Sequence, residues 1–159
     1  MKTLIVFYSR SGVTRRACQE LGTRLNADLE ELIDKTDRSG MMGWLRGGHD
    51  ATFLKTTQLE PTRFDAAQYD LVVVATPIWA FTMVPAIRTY LTENKGKFRR
   101  VAFAATMGGS GDQRAYRHMQ ELTGLAPEGT LTLIDKRVRA AEVTQDIAAF
   151  AKTLLGKMA

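Results

Sequence analysis

Apolar residues fall along this chain in two rhythms. Short unbroken runs at 4–8, 71–75, 101–105 and 131–134 have no polar face, as strands buried on both sides should not. Residues 29–33 alternate weakly and read as a further strand, second in chain order. Between these runs the spacing changes to three and four. Val13, Ala17, Cys18, Leu21 and Leu25 make one helical stripe; Val84, Ile87 and Leu91 make another. Ala115, Met119 and Leu122 form a third, and Val143, Ile147, Phe150, Ala151 and Leu154 a closing amphipathic helix.

Strand and helix thus alternate about five times. Uncharged strands with one-sided helices predict an α/β three-layer sandwich, a parallel sheet covered on both faces. Right-handed crossovers make it doubly wound. One stretch fits poorly. Between Lys35 and Arg63 lie Gly40, Gly43, Gly47 and Gly48 among Met41, Met42, Trp44, Leu45, Phe53 and Leu54. The segment predicts a helix with indistinct ends. Residues 40–58 within it are too apolar for a solvated loop, so they are expected to flank a ligand or line a homodimer interface.

The 159 residues suffice for a real core and read as a single domain, 1–159. No apolar run approaches the roughly 18 residues of a membrane span, and the five apolar residues before Ser9 are too few for a signal-peptide core. A cytoplasmic location is expected. One cysteine, Cys18, excludes an internal disulfide and a Cys-rich metal site. His49 and His118 do not form a zinc pattern. The formal net charge of +5 favours an anionic ligand or partner. Lysine and arginine are nevertheless spread thinly, without the clustered aromatics of a nucleic-acid surface.

In open parallel sheets, ligands sit beyond the carboxyl ends of the strands. Three segments with unusual composition leave that edge: 9–14, 77–82 and 106–112. The first reads Ser9-Arg10-Ser11-Gly12-Val13-Thr14, between a strand and a helix. A helix N-terminus offers unpaired N–H groups and partial positive charge. Ser9, Ser11 and Thr14 add hydroxyls, Gly12 permits a tight bend, and Arg10, Arg15 and Arg16 add charge. The expected occupant is a phosphate. The segment is neither a Walker loop, lacking Gly-x4-Gly-Lys, nor a dinucleotide fingerprint, having one glycine of three. Cys18 and Arg24 have phosphatase-loop spacing, but Cys18 falls on the helical stripe and reads as core.

The second segment, Pro77-Ile78-Trp79-Ala80-Phe81-Thr82, puts two aromatics where loops are normally polar. The third, Thr106-Met107-Gly108-Gly109-Ser110-Gly111, offers flexible backbone to a flat ring. A phosphate turn, an aromatic wall and a glycine-rich floor together describe a site for flavin mononucleotide (FMN). Trp79 or Phe81 is the expected ring contact.

These three segments, in this order, resemble the flavin loops of the short-chain flavodoxin family. Residues 9–14 match its phosphate loop, Ser/Thr-x-Ser/Thr-Gly-x-Thr; 73–79 with 83–87 resemble its second loop and helix, and 106–111 its third. The resemblance spans the chain. It implies a five-stranded parallel sheet in the order 2-1-3-4-5, bound FMN and electron transfer with a redox partner protein or a small-molecule donor or acceptor. The chain departs from the family in being basic. It also lacks a third-loop tyrosine, since Tyr116 already lies on the predicted helix. The fifth strand runs directly into the last helix, without a long insertion. An NAD(P)H- or quinone-linked flavin reductase is the alternative, with a flavin-free interaction module behind it. A receiver domain is disfavoured, because Tyr8-Ser9 and Thr76-Pro77 stand where its acidic residues belong.

Overall fold

The structure is a computed structural model and describes residues 1–157. Five parallel strands form the sheet: β1 (Thr3–Phe7), β2 (Asp28–Glu31), β3 (Leu71–Trp79), β5 (Val101–Met107) and β6 (Thr130–Ile134). A two-residue strand, β4 (Thr82–Met83), folds back antiparallel on β3. The order is β2-β1-β3-β5-β6, which is the expected 2-1-3-4-5 once β4 is set aside. The winding reverses between β1 and β3.

The strand alternation decides which helix each side chain meets. Leu4 and Val6 of β1, Val72 and Val74 of β3, and Val101 and Phe103 of β5 face one way. There they meet Ile87 and Leu91 of α3 (Pro85–Glu93) and Ala115 and Met119 of α4 (Asp112–Thr123). Ile5, Phe7, Val73 and Ala102 face the other way. They meet Leu21 of α1 (Val13–Leu25) and Ile147, Phe150 and Leu154 of α6 (Thr144–Gly156). Burial on both faces is the physical reason these strands read as unbroken apolar runs. Tyr116 belongs to the first layer, its hydroxyl donating to the Leu131 carbonyl at 2.7 Å.

Two expectations change. The segment 77–82 is not a loop: β3 continues through Trp79 and turns back in two residues, Ala80 and Phe81. Both have left-handed backbone, φ 47° and 62°, the geometry of a two-residue hairpin turn that favours Asn-Gly. Nor does the fifth parallel strand run straight into the last helix. A short helix, α5 (Asp135–Arg139), follows β6 immediately.

The glycine-rich stretch does form a helix, α2 (Gly40–Thr52). Its packing is inverted. The buried stripe consists of Gly43, Gly47 and Ala51, while Met41, Met42, Trp44 and Leu45 are exposed. Small residues bring the helix backbone close to its neighbours, and a Cβ at Gly47 would lie 2.7 Å from the Trp79 ring. Arg38, 4% exposed, fastens the segment. It pairs with Asp34 at 2.6 Å, before the helix, and with Asp50 at 3.0 Å, within it.

Candidate functional site

The turn after β1 is organised by its own side chain. Ser9 Oγ accepts from the backbone N–H groups of Gly12 (3.1 Å) and Arg15 (3.2 Å), closing the entry to α1. Gly12 makes the bend possible, with φ 90°. Among the described residues, the N–H groups of Val13 and Thr14 meet no acceptor in the chain. These open donors at a helix N-terminus are what an anion requires. Ser9 therefore shapes the turn, and Ser11, exposed, keeps its hydroxyl free. The Thr14 hydroxyl pairs with that of Thr106, 2.8 Å away and 92 residues on, joining the first segment to the third.

A depression of about 240 Å³ opens at this edge of the sheet. Arg10, Ser11, Val13 and Thr14 line it from the turn, Pro77, Ile78 and Trp79 from the end of β3, and Thr106 from β5. Three segments far apart in the chain thus meet in one place. Trp44 of α2 and Asp135 and Arg139 of α5 complete the wall. The last two escaped sequence reasoning. The joint between β6 and α5 carries neither glycine nor a hydroxyl cluster, so nothing in its composition marks it; position at the same sheet edge was the sole signal.

The charges sort themselves differently from their sequence order. Arg15 is drawn off to Glu31 in a two-point contact at 2.8 and 2.6 Å. Arg16 donates to the Arg139 carbonyl at 3.3 Å, bracing α5 against α1. Arg10 lines the depression while donating to the carbonyls of Arg38 (2.9 Å) and Gly40 (3.0 Å). Asp135 is the unusual member. One of its oxygens, Oδ1, is buried without a hydrogen-bond partner, and burial raises its carboxyl pKa even though Arg139 opposes the shift. Such an orphaned acceptor in a polar depression fits a ligand hydroxyl. Together the wall offers open backbone donors and arginines for a phosphate and a carboxyl for a hydroxylated chain. That donor set suits the phosphate and ribityl parts of FMN.

Other predicted residues lie around the rim. Met107 is buried in β5, and Gly108 and Gly109 are exposed; none of the three lines the depression. Gly111, at φ 114°, lets the third segment touch the hairpin turn: a Cβ there would meet Phe81 Cα at 2.5 Å. Phe81 is 61% exposed and Ala80 partly buried. Both line a larger cleft of about 600 Å³ between the hairpin and α2, beside the depression and sharing Trp44, Ile78 and Trp79 with it. Trp79 stands edge-on to Tyr8, ring centroids 5.6 Å apart. Trp44, from the expected flanking segment, lines both hollows. Cys18 is buried in α1, where burial pushes its thiol far up, so it is no nucleophile.

A doubly wound α/β protein, with an anion-ready turn at its switch point and the ends of two neighbouring strands closing on it, is the class defined by this fold and site. The chain belongs to the flavodoxin family, whose sequence profile matches residues 2–149. No curated protein sequence matches it. Among solved structures it is similar to a flavoprotein from Lactobacillus acidophilus NCFM in complex with FMN, at 23% identity and TM-score 0.72, covering 87% of this chain and 97% of that one. A Bacteroides uniformis protein assigned as a flavoprotein aligns at 20% identity and TM-score 0.79, covering 95% and 97%. Oxidised flavodoxin 2 from Bacillus cereus aligns at 16% identity and TM-score 0.58, covering 99% of each chain. Among the described residues no helix is long and apolar enough to cross a membrane.

Proposed function

We propose that this protein binds FMN at the depression and passes electrons between redox partners. The observation that carries the reading is the turn after β1, with the N–H groups of Val13 and Thr14 open and Arg10 beside them. That turn would hold the phosphate, with the Ser11 hydroxyl and Arg139 as further donors; the orphaned Asp135 oxygen would accept from a ribityl hydroxyl, and Ile78 and Trp79 would border the ring. FMN supplies the redox chemistry; the chain binds it, orients it and sets its electrostatic surroundings. The family and an FMN-bound structural relative support this reading. The net charge of +5 favours acidic protein partners.

The alternative, a flavin reductase acting on a small molecule, draws on one feature: the larger cleft that shares a wall with the depression.

Fluorescence titration of the apoprotein tests the cofactor assignment. Each charge-assisted hydrogen bond to the phosphate contributes about 1.5–3 kcal/mol, so FMN should bind at least about a hundredfold more tightly than riboflavin. Equal affinities would remove the phosphate from the turn.

A further inference from the structure

We infer that α3 and α4 together form a second anion site, one that takes a phosphoryl group. Its centre is Arg88 of α3, only 9% exposed. Nη2 of Arg88 is buried without a hydrogen-bond partner. Among the described residues no carboxylate pairs with this guanidinium. A guanidinium keeps its proton in a protein, so the charge persists when the side chain is buried. Such a charge is costly unless an anion meets it. The fold buries the cation and leaves the anion to be supplied from outside.

Helix α4 brings further cations to the same place. Arg114, Arg117, His118 and Glu121 follow at spacings of three, four and seven, along one stripe of the helix. Burial lowers the Arg88 pKa and the Arg114 charge adds to that, while Glu121 opposes both. The His118 ring is fixed across the interface, its Nδ1 3.0 Å from the Thr82 hydroxyl of β4. Burial lowers the His118 pKa, and Arg88, Arg114 and Arg117 lower it further against the pull of Glu121. A neutral imidazole therefore stands among three arginines and one glutamate. The excess is two positive charges, and a phosphoryl group carries about −1.5 to −2 at pH 7. A single carboxylate would leave part of that excess unmet. Planar guanidinium forks also fit phosphate oxygens in pairs.

Room for the rest of a ligand lies alongside. A hollow of about 360 Å³ is lined by Arg117 and Glu121 of the stripe, with Gln120 and Gly124. Arg88, Arg114, Arg117 and His118 line neither the depression nor the aromatic cleft, so this site is separate from that of the flavin.

The test follows the two histidine ring signals by NMR as inorganic phosphate is added at constant ionic strength, with His49 as internal reference. The protein is first saturated with FMN, which closes the turn after β1 to the added phosphate. The readout itself does not need FMN, because no charged group of that turn is among those acting on His118. Phosphate should raise the His118 pKa saturably, since an anion offsets the three arginines, and His49 should not move. Arg88→Met should weaken phosphate binding about tenfold or more and leave FMN affinity unchanged. It removes an unpaired buried charge, so its thermal stability in phosphate-free buffer should not fall. The double variant Arg114→Gln/Arg117→Gln, at exposed positions, should also weaken phosphate about tenfold or more. It decides the matter if Arg88→Met does not fold. Acetate at the same ionic strength should leave His118 unmoved. Glucose 6-phosphate binding more tightly than inorganic phosphate would assign the ligand to an ester reaching into the hollow; equal or weaker binding would assign it to free phosphate. A His118 shift that never saturates, that acetate reproduces, or that either folded variant leaves unchanged overturns the inference. So does tighter binding of hexaglutamate than of phosphate, which would make this face a dock for an acidic protein.

Discussion

The turn after β1 and the α2–hairpin region both face the same edge of the sheet, yet they are built on opposite terms. The turn holds its own shape: Ser9 Oγ accepts from the Gly12 and Arg15 N–H groups, Gly12 supplies the left-handed bend, and the Thr14 hydroxyl pairs with Thr106. It needs no unusual backbone from a residue with a side chain. The hairpin does, placing Ala80 and Phe81 in the left-handed region, at about 1–2 kcal/mol for each residue. Beside it, α2 buries glycines and presents methionines and tryptophan to solvent. Strain and exposed apolar surface persist where surrounding structure over-determines them, and they cluster at binding sites. The turn is a general device for an anion. The second region is where this chain is individual.

The largest lever on that contrast is Arg38, which ties α2 to the chain before it through Asp34 and Asp50. Arg38→Met should destabilise the protein by about 3–5 kcal/mol, because Asp34 would be left buried without a counter-charge. Urea unfolding measures it. The native protein should also lose stability in acid through Asp50: burial raises its pKa, but hydrogen bonds from Arg38 and His49 and the charges of Arg38 and Lys55 bring it below the ordinary value. That contribution is complete above the unfolded pKa and disappears as pH falls through the lowered folded one. Arg38→Met should flatten this acid limb. A loss under about 1 kcal/mol would mean that α2 is held by something other than the arginine.

Gly47→Ala probes the seat of the helix on Trp79. The added methyl would stand 2.7 Å from the ring, so helix or indole must shift. A destabilisation of about 1–3 kcal/mol is expected, with a change in tryptophan emission. Unaltered emission and stability would show that α2 already rides loosely on the sheet.

The smallest effect should come with the opposite sign. Replacing Ala80 by Asn and Phe81 by Gly gives the hairpin the residues its turn prefers. The double variant should gain up to about 1 kcal/mol, since Asn and Gly tolerate left-handed backbone better than Ala and Phe while the Phe81 side chain's packing is given up, and its melting temperature should rise. If it fell instead, the Phe81 side chain would be contributing more through packing than its backbone costs.

The legible parts of this protein share a physical cause. A strand buried on both faces cannot carry charge, so β1, β3 and β5 announce themselves as unbroken runs. A helix with one buried stripe repeats at three and four. The turn after β1 was legible because the bend and the open helix end depend on residues within six positions of one another. The third segment was legible in composition but not in detail: Thr106 faces the depression from inside β5, while Gly108 and Gly109 stay on the rim.

The rest required the tertiary structure, because it depends on pairs that no local pattern records. Composition shows that residues 40–58 are apolar, but their helix is inverted, and periodicity assumes that large apolar residues point inward. Nothing local says that β3 continues past Pro77, since the turn at Ala80 and Phe81 lacks the usual turn residues. Asp135 and Arg139 join the site because β6 pairs with β5 and delivers α5 to the same edge. By itself the sequence determined which segments lie in the parallel sheet, which helices cover it and where a helix N-terminus stands open at its edge, all consequences of burial and local backbone geometry. The tertiary structure decided which side chains share each hollow, which arginines are already engaged, and that a second, uncharged cleft opens beside the first, because those outcomes are set by contacts between residues tens of positions apart.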